Sequence, residues 1–192
     1  MKTFTLTRIP NKSTMFPQMA AYTIGNLTEE QLLELFTNAD FVLADSVFWM
    51  DSLETIRDEV VPMMANNPRR FVCDWGTRYE IYAIERNRSG RESDARQNRA
   101  KSVHNWRSLM HGAGVVRYLP ETEDTISHEG ILRTLRDNPQ HRFVVLTRSK
   151  ELVERINESE LQNALPIHQL PTGDWGIRMS AKPLVAPFIA DR

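Results

Sequence analysis

Thiol chemistry is almost missing from this chain: among 192 residues there is one cysteine, Cys73. That excludes a disulfide framework and a cysteine-rich zinc site, and it fits a reducing compartment. No run approaches the ~18 apolar residues of a membrane-crossing helix. The opening MKTFTLTRIPNKST carries a lysine but no apolar core of about 7–15 residues, so no signal peptide is expected. Neither end carries a lipidation motif, and a cytoplasmic location is the expectation. Neither sign of charge prevails: 24 basic residues stand against 25 acidic ones, for a net charge of −1. A polybasic nucleic-acid tail and a wholly acidic protein are both excluded. The eight glycines form neither GxGxxG nor GxxxxGK[ST], and HExxH, GxSxG and EF-hand loops are missing too. His104 and His111 share a helix face, but seven residues separate them by about 10.5 Å of rise, too far to chelate one ion. No cofactor, metal or catalytic residue is assigned.

What remains is an ordinary globular composition, 41% hydrophobic and 26% charged, in a chain long enough to bury about 70% of its unfolded surface. The expected fold is α/β (or α+β): one compact domain over residues 1–182, a mixed sheet with about five helices packed on it, and an extended tail at 183–192. Thr3–Ile9 alternates like a strand. Thr28 and Gln31 form a capping box for a helix whose buried stripe is Leu32, Leu33, Leu35 and Phe36. A second helix is expected over 51–64, stopped by Asn66-Asn67-Pro68. Arg70–Asp74 and Thr77–Glu85 read as a hairpin turning at Trp75-Gly76. A long helix at 93–111 closes on Gly112 and Gly114, and a short strand follows at 114–119. The remainder reads as a helix at 125–136, a strand at 142–147, a helix at 149–164, and strands at 167–170 and 175–181. The strand–helix–strand order near the end favours parallel pairing. Asp74-Trp75-Gly76 recurs as Asp174-Trp175-Gly176, and both are taken as turns heading strands.

Charge is unevenly placed. Between Glu29 and Glu59 nine acids face Arg57 alone, a local net of −8. Between Arg86 and Arg107 seven bases face Glu92 and Asp94, a local net of +5. Wound at about 100° per residue, the long helix places Ala95, Ser102, Val103, Trp106, Leu109 and Met110 on one arc. Arg96, Gln97, Lys101, His104, Arg107, Ser108 and His111 fall on the other. Forked arginine donors and lysines on one face suit phosphate backbones, so Arg86, Arg88, Arg91, Arg96, Lys101, His104 and Arg107 are the candidate phosphate-binding residues. In the acidic stretch Asp45, Trp49, Asp51, Glu54 and Asp58 are the candidate partner-binding residues, with an exposed Trp49–Met50 edge as the anchor.

Arg88-Ser89, Gln97-Asn98-Arg99 and Trp106 resemble a segment of the phage NinB DNA-binding family. An insertion separates the first two pieces and the tryptophan stands further along, and no site is carried over. The leading expectation is a non-enzymatic binding protein, of inhibitor or adaptor type. It would act on nucleic acid or on a nucleic-acid-handling protein complex through the basic helix and the acidic helical surface. The alternatives are a small motif-poor enzyme on a phosphate-bearing substrate, with His104 or His128 moving protons, and a self-assembling subunit whose acidic face meets the basic face of the next copy. No membrane partner is expected.

Overall fold

Three short runs, Phe41–Ala44, Phe71–Cys73 and Phe143–Thr147, are apolar at every position but the closing Thr147 and buried almost throughout, as strands covered on both faces must be. They are the centre of the sheet. The computed structural model describes residues 26–64, 70–159, 161–169 and 175–177. Its strands in chain order are β1 (Asn26–Leu27), β2 (Phe41–Ala44), β3 (Phe71–Cys73), β4 (Val116–Tyr118), β5 (Phe143–Thr147), β6 (Ala164–Gln169) and β7 (Trp175–Ile177). The helices are α1 (Glu29–Asn38), α2 (Ser46–Asp51), α3 (Leu53–Thr55), α4 (Val61–Met63), α5 (Trp75–Glu85), α6 (Asp94–Gly112), α7 (Ser127–Asp137) and α8 (Lys150–Glu158). A π-helical turn, Ile56–Val60, joins α3 to α4 just before Pro62, whose missing N–H removes a helical hydrogen bond.

The seven strands lie in the order β1-β7-β6-β5-β2-β3-β4. From β4 to β6 the pairings are parallel, whereas β6–β7 and β7–β1 are antiparallel. The fold is therefore α/β with a mixed sheet. Successive strand residues feed opposite faces. Val42, Ala44, Phe71, Cys73, Val144 and Leu146 pack with Phe48, Trp49, Ile56 and Ile81 on one side. Leu43, Val72, Phe143 and Val145 pack with Ile131, Leu132 and Leu135 of α7 and Leu152 and Ile156 of α8 on the other.

Two departures from the sequence reading matter for function. The segment read as the second hairpin strand is the helix α5. Asp74 caps it by accepting the Thr77 N–H at 2.9 Å, and Thr77, Ile81 and Ile84 are its buried residues at helical spacing. The two Asp-Trp-Gly triplets thus lead to opposite structures, a helix after Asp74 and the strand β7 at Trp175. The second departure is β2 itself, a central strand inside a stretch read as acidic helical surface. Thr28 does cap α1 with Gln31 as a capping box, and β5–α8–β6 is a parallel crossover. The expected strand at 3–9, the stop at 66–68, residues 178–181 of the last strand and the tail at 183–192 lie outside the described residues.

The helices α5 and α7 meet through glycine. A Cβ on Gly130 would lie 2.2 Å from Asp74 Oδ1 and 3.1 Å from the Gly76 nitrogen, and one on Gly76 would lie 2.4 Å from the Ile126 carbonyl oxygen. Gly130→Ala is therefore expected to lower stability by about 1–3 kcal/mol through overpacking, although alanine is the better helix former. Gly112→Ala, with nothing within 4 Å, is the matched control and is expected to be neutral or mildly stabilising. Urea unfolding of both variants checks the contrast, and equal midpoints would refute the close approach.

Candidate functional site

In chain order the parallel strands run third, second, first, fourth, fifth across the sheet, so the winding reverses between β2 and β5. Open α/β sheets bind ligands at the carboxyl ends of the strands beside such a reversal. Here that place is filled by the chain's own polar groups. Asp45, directly after β2, accepts the Phe48 N–H at 2.6 Å and the Thr147 hydroxyl from the end of β5. Ser127 Oγ, at the start of α7, accepts the Ser46 N–H at 3.0 Å and shares a 2.6 Å hydrogen bond with Thr77 Oγ1. Glu80 accepts the Ser127 N–H at 2.8 Å. Asp45 and Asp74 are 0% and 1% exposed, so neither carboxylate can touch a substrate in this conformation. Both cap helices instead.

Burial pushes the Asp45 carboxyl up to about 7; the Thr147 and Phe48 hydrogen bonds oppose it, while the charges of Glu80 and Asp74 push the same way. Burial likewise pushes Asp74 up to about 6. The Cys73 thiol is pushed up to about 12 by burial, which removes it as a nucleophile at neutral pH. His128 Nε2 lies 3.9 Å from Asp45 Oδ2, and burial lowers its pKa, so its neutral form is favoured. Among the described residues no group of three His, Cys, Asp or Glu side chains is placed to hold a metal ion.

A different kind of surface begins beside this edge. Four residues of α5, Trp75, Arg78, Tyr79 and Tyr82, and Arg86 at its C-cap fall within an arc of about 100°. The Arg78 guanidinium lies 4.8 Å from the Trp75 ring centre and 4.6 Å from that of Tyr118 at the end of β4. Tyr118 in turn stacks on His111 of α6 at 3.9 Å, with the rings within 5° of parallel. Trp75 and Tyr79 are neighbours at 6.0 Å. Arg88 donates to the Tyr79 hydroxyl at 2.8 Å and lies 5.0 Å from the Tyr82 ring, with Arg86 5.4 Å from the same ring. Rings and guanidinium groups therefore form one continuous row from His111 to Arg86. The four rings Trp75, Tyr79, Tyr82 and Tyr118 are half-buried, whereas Phe48, Trp49 and Phe71 are wholly inside.

The α5–α6 connection is held in a defined shape. Asn87 takes φ 45°, a conformation asparagine tolerates, and its side chain accepts the Glu92 N–H at 3.0 Å. Gln97 donates to the Glu92 carbonyl at 3.0 Å. Arg86, Arg88 and Arg91 are exposed on this connection.

The residues singled out by sequence part into two groups. Arg86 and Arg88 come together at the aromatic row, Arg91 is exposed on the connection that follows, and Lys101 is exposed on α6. Arg96 is tied to Glu92 at 2.9 Å and His104 to Glu85 at 2.5 Å. Arg107 is 3% exposed, with its guanidinium over Tyr118 at 5.6 Å and Nη1 3.9 Å from Cys73 Sγ. The helix is turned relative to its polarity pattern because it packs on both α5 and β4. Ala100, Val103 and Arg107 face in, and Leu109 is 65% exposed.

The acidic set is likewise divided. Asp45 and Trp49 are buried; Trp49 stacks on Phe71 at 5.2 Å, so the expected exposed Trp49–Met50 edge does not exist in this fold. Glu54 takes a two-pronged pair from Arg99 at 2.6 Å, which lowers its pKa to about 2. Asp58 pairs with Arg57 at 2.7 Å, and Asp51 is exposed. Asp58 also lines an open cleft of about 280 Å³ with Glu29, Glu59, Leu32, Met63 and Trp175, toward the β1–β7 edge and far from the arginines at the β4 edge. Trp75, Arg78, Tyr79 and Tyr82 escaped the sequence reading because a hairpin alternates sides where a helix gathers them. Their i, i+3, i+4, i+7 spacing was the available signal.

No family model, curated protein or solved structure matches the chain. The short likeness to NinB over residues 88–106 therefore carries no argument.

The buried carboxyls set a pH dependence. In the folded chain Asp45 and Asp74 keep their protons at pH values where an unfolded aspartate, with a pKa near 3.9, has lost its own. Their contribution to stability is complete below about pH 4 and is lost as pH rises through about 6 and 7. Unfolding free energy is expected to fall across that window by at most about 1.4 kcal/mol per pH unit for each titrating carboxyl. Asp45→Asn should flatten the profile measured by urea unfolding at pH 4, 6 and 8. An unchanged slope in that variant would place the titration elsewhere.

Proposed function

We propose that this protein binds nucleic acid, with phosphates held by Arg86, Arg88 and Arg91 and supported by Arg78 and Lys101. One observation carries the reading: these five cations have no carboxylate partner among the described residues, while Arg57, Arg96, Arg99, Arg133, Arg142 and Arg155 all do. Stacking on an aromatic ring holds a guanidinium in place without neutralising it. Its N–H donors stay available in the guanidinium plane, where a phosphate meets them in a fork. Arg78, Arg86 and Arg88 stand together over the α5 rings, with Arg91 on the connection that follows, and the acidic cleft lies toward the opposite edge of the sheet, so their field adds instead of cancelling.

The acidic cleft supports a second, subordinate reading, contact with a basic protein partner of the nucleic-acid-bound state. Its carboxylates surround an apolar floor that includes a methionine and a tryptophan, residue types favoured at interface centres.

Fluorescence anisotropy with labelled oligonucleotides at two salt concentrations tests the main reading. The native chain is expected to bind more weakly as salt rises, because counterions are released from each phosphate contacted. The Arg86→Ala/Arg88→Ala/Arg91→Ala triple variant should weaken binding and reduce the log–log salt slope by about 2–3. Arg99→Ala, which removes a cation already committed to Glu54, should leave binding unaltered. No binding by the native chain at low salt, or full binding by the triple variant, would overturn the reading.

A further inference from the structure

We infer that the nucleic acid taken at this face is single-stranded, with bases stacking on the Trp75, Tyr79 and Tyr82 rings while phosphates meet Arg86, Arg88 and Arg91. This rests on the phosphate-binding reading above and specifies its substrate. A face that only attracts phosphate needs cations and hydrogen-bond donors, and it has no use for part-exposed rings. Here three of the five residues on the arc that runs from Trp75 to the Arg86 cap are aromatic, and each is half-buried. The remaining two, Arg78 and Arg86, lie over those rings. Rings and guanidinium planes are the two side-chain surfaces on which unpaired bases stack. In a duplex the base faces are covered by their neighbours, and only sugar, phosphate and groove edges are offered. The aromatic part of the row can therefore contribute only when bases are free to splay.

The geometry also limits the length bound. From Trp75 to Arg86 the helix rises about 16 Å. A stacked strand advances about 3.4 Å per nucleotide, so the row spans no more than about five nucleotides. The rings are positioned before any ligand arrives. Tyr79 is tied by the Arg88 hydrogen bond at 2.8 Å, and Tyr82 packs edge-on to His104 at 6.4 Å, which is itself held by Glu85. Little ordering of these side chains is left for binding to supply.

The test compares single-stranded and duplex oligonucleotides of equal length by anisotropy at one salt concentration, with unlabelled single strands of two to ten nucleotides as competitors. Expected are tighter binding of the single strand and a gain in affinity with length that levels off near five nucleotides. Tyr82→Ala should weaken the single strand roughly ten-fold while leaving duplex affinity and the salt slope in place. Tyr82→Phe, which keeps the ring, should bind as the native chain does. Trp75→Phe should likewise keep affinity while removing the ligand-induced quenching of tryptophan emission. Because Trp75 also begins α5, Tyr82→Ala is the deciding variant, and its thermal melt confirms folding. Equal or tighter duplex binding, or an unchanged single-strand affinity in Tyr82→Ala, would overturn the single-strand assignment and leave the phosphate reading standing. Loss of all salt-sensitive binding in the native chain would instead remove that reading, and this inference with it.

Discussion

The placement of the α5 rings and arginines depends on how the β2, β3 and β5 ends are closed. Three helices, α2, α5 and α7, begin within hydrogen-bonding distance of one another there, and each leaves backbone N–H groups without helical partners. Asp45 and Asp74 satisfy some of them through side-chain caps, while Ser127 accepts from Ser46 and joins Thr77. Such a buried set must be satisfied almost completely to be tolerated, since an unpaired polar group in the interior costs about 1–3 kcal/mol. Asp74 Oδ2 is the member left without a hydrogen bond. Keeping a proton on that carboxyl is cheaper than keeping a charge there, which is the direction burial drives it.

That closure places α5 as well as stabilising it. The Asp74 cap fixes where the helix begins, and the Gly76–Gly130 contact fixes how closely α7 approaches. With start and roll both set, Thr77, Ile81 and Ile84 must face inward, and Trp75, Arg78, Tyr79 and Tyr82 must face out. A site assembled on a helix anchored in this way holds its groups more firmly than one on a loop. The row of rings and guanidinium groups is thus a by-product of core packing a few residues away.

The sequence made parts of this legible and concealed others for identifiable reasons. Capping chemistry is local, so the Thr28–Gln31 box could be read directly, as could the stop at Gly112–Gly114. The β5–α8–β6 crossover was legible because its strand and helix patterns are long and distinct. Asp74 misled because Arg-Tyr-Glu-Ile-Tyr-Ala-Ile-Glu alternates well enough to pass for a strand, while its buried residues, Ile81 and Ile84, are three apart. Short strands buried on both faces have no alternation, and β2, only four residues long, was hidden between two acidic helices. Lastly, the polarity of α6 pointed Arg107 outward. An arginine stem is largely apolar, and Tyr118 together with the Cys73 sulfur receives the guanidinium inside.

The charge count alone suggested a dipolar molecule, but counting does not distinguish a neutralised charge from an available one. In the acidic stretch Glu54 and Asp58 hold arginines, and a surface pair of this kind adds little to stability while cancelling its own field. In the basic stretch Arg96 and Arg99 are consumed in the same manner. Arg86, Arg88 and Arg78 are held by aromatic faces, which orient a cation and leave its charge intact. Among the described residues the field that reaches solvent therefore comes from the cations without a carboxylate, and three of these, Arg78, Arg86 and Arg88, are held over rings. A surface of oriented, unneutralised guanidinium groups interleaved with half-exposed rings is costly to maintain against self-repulsion and exposed apolar area. Cation–ring stacking offsets part of that cost within the protein, and in the proposed reading a single strand, which supplies both phosphate and flat rings, offsets the rest.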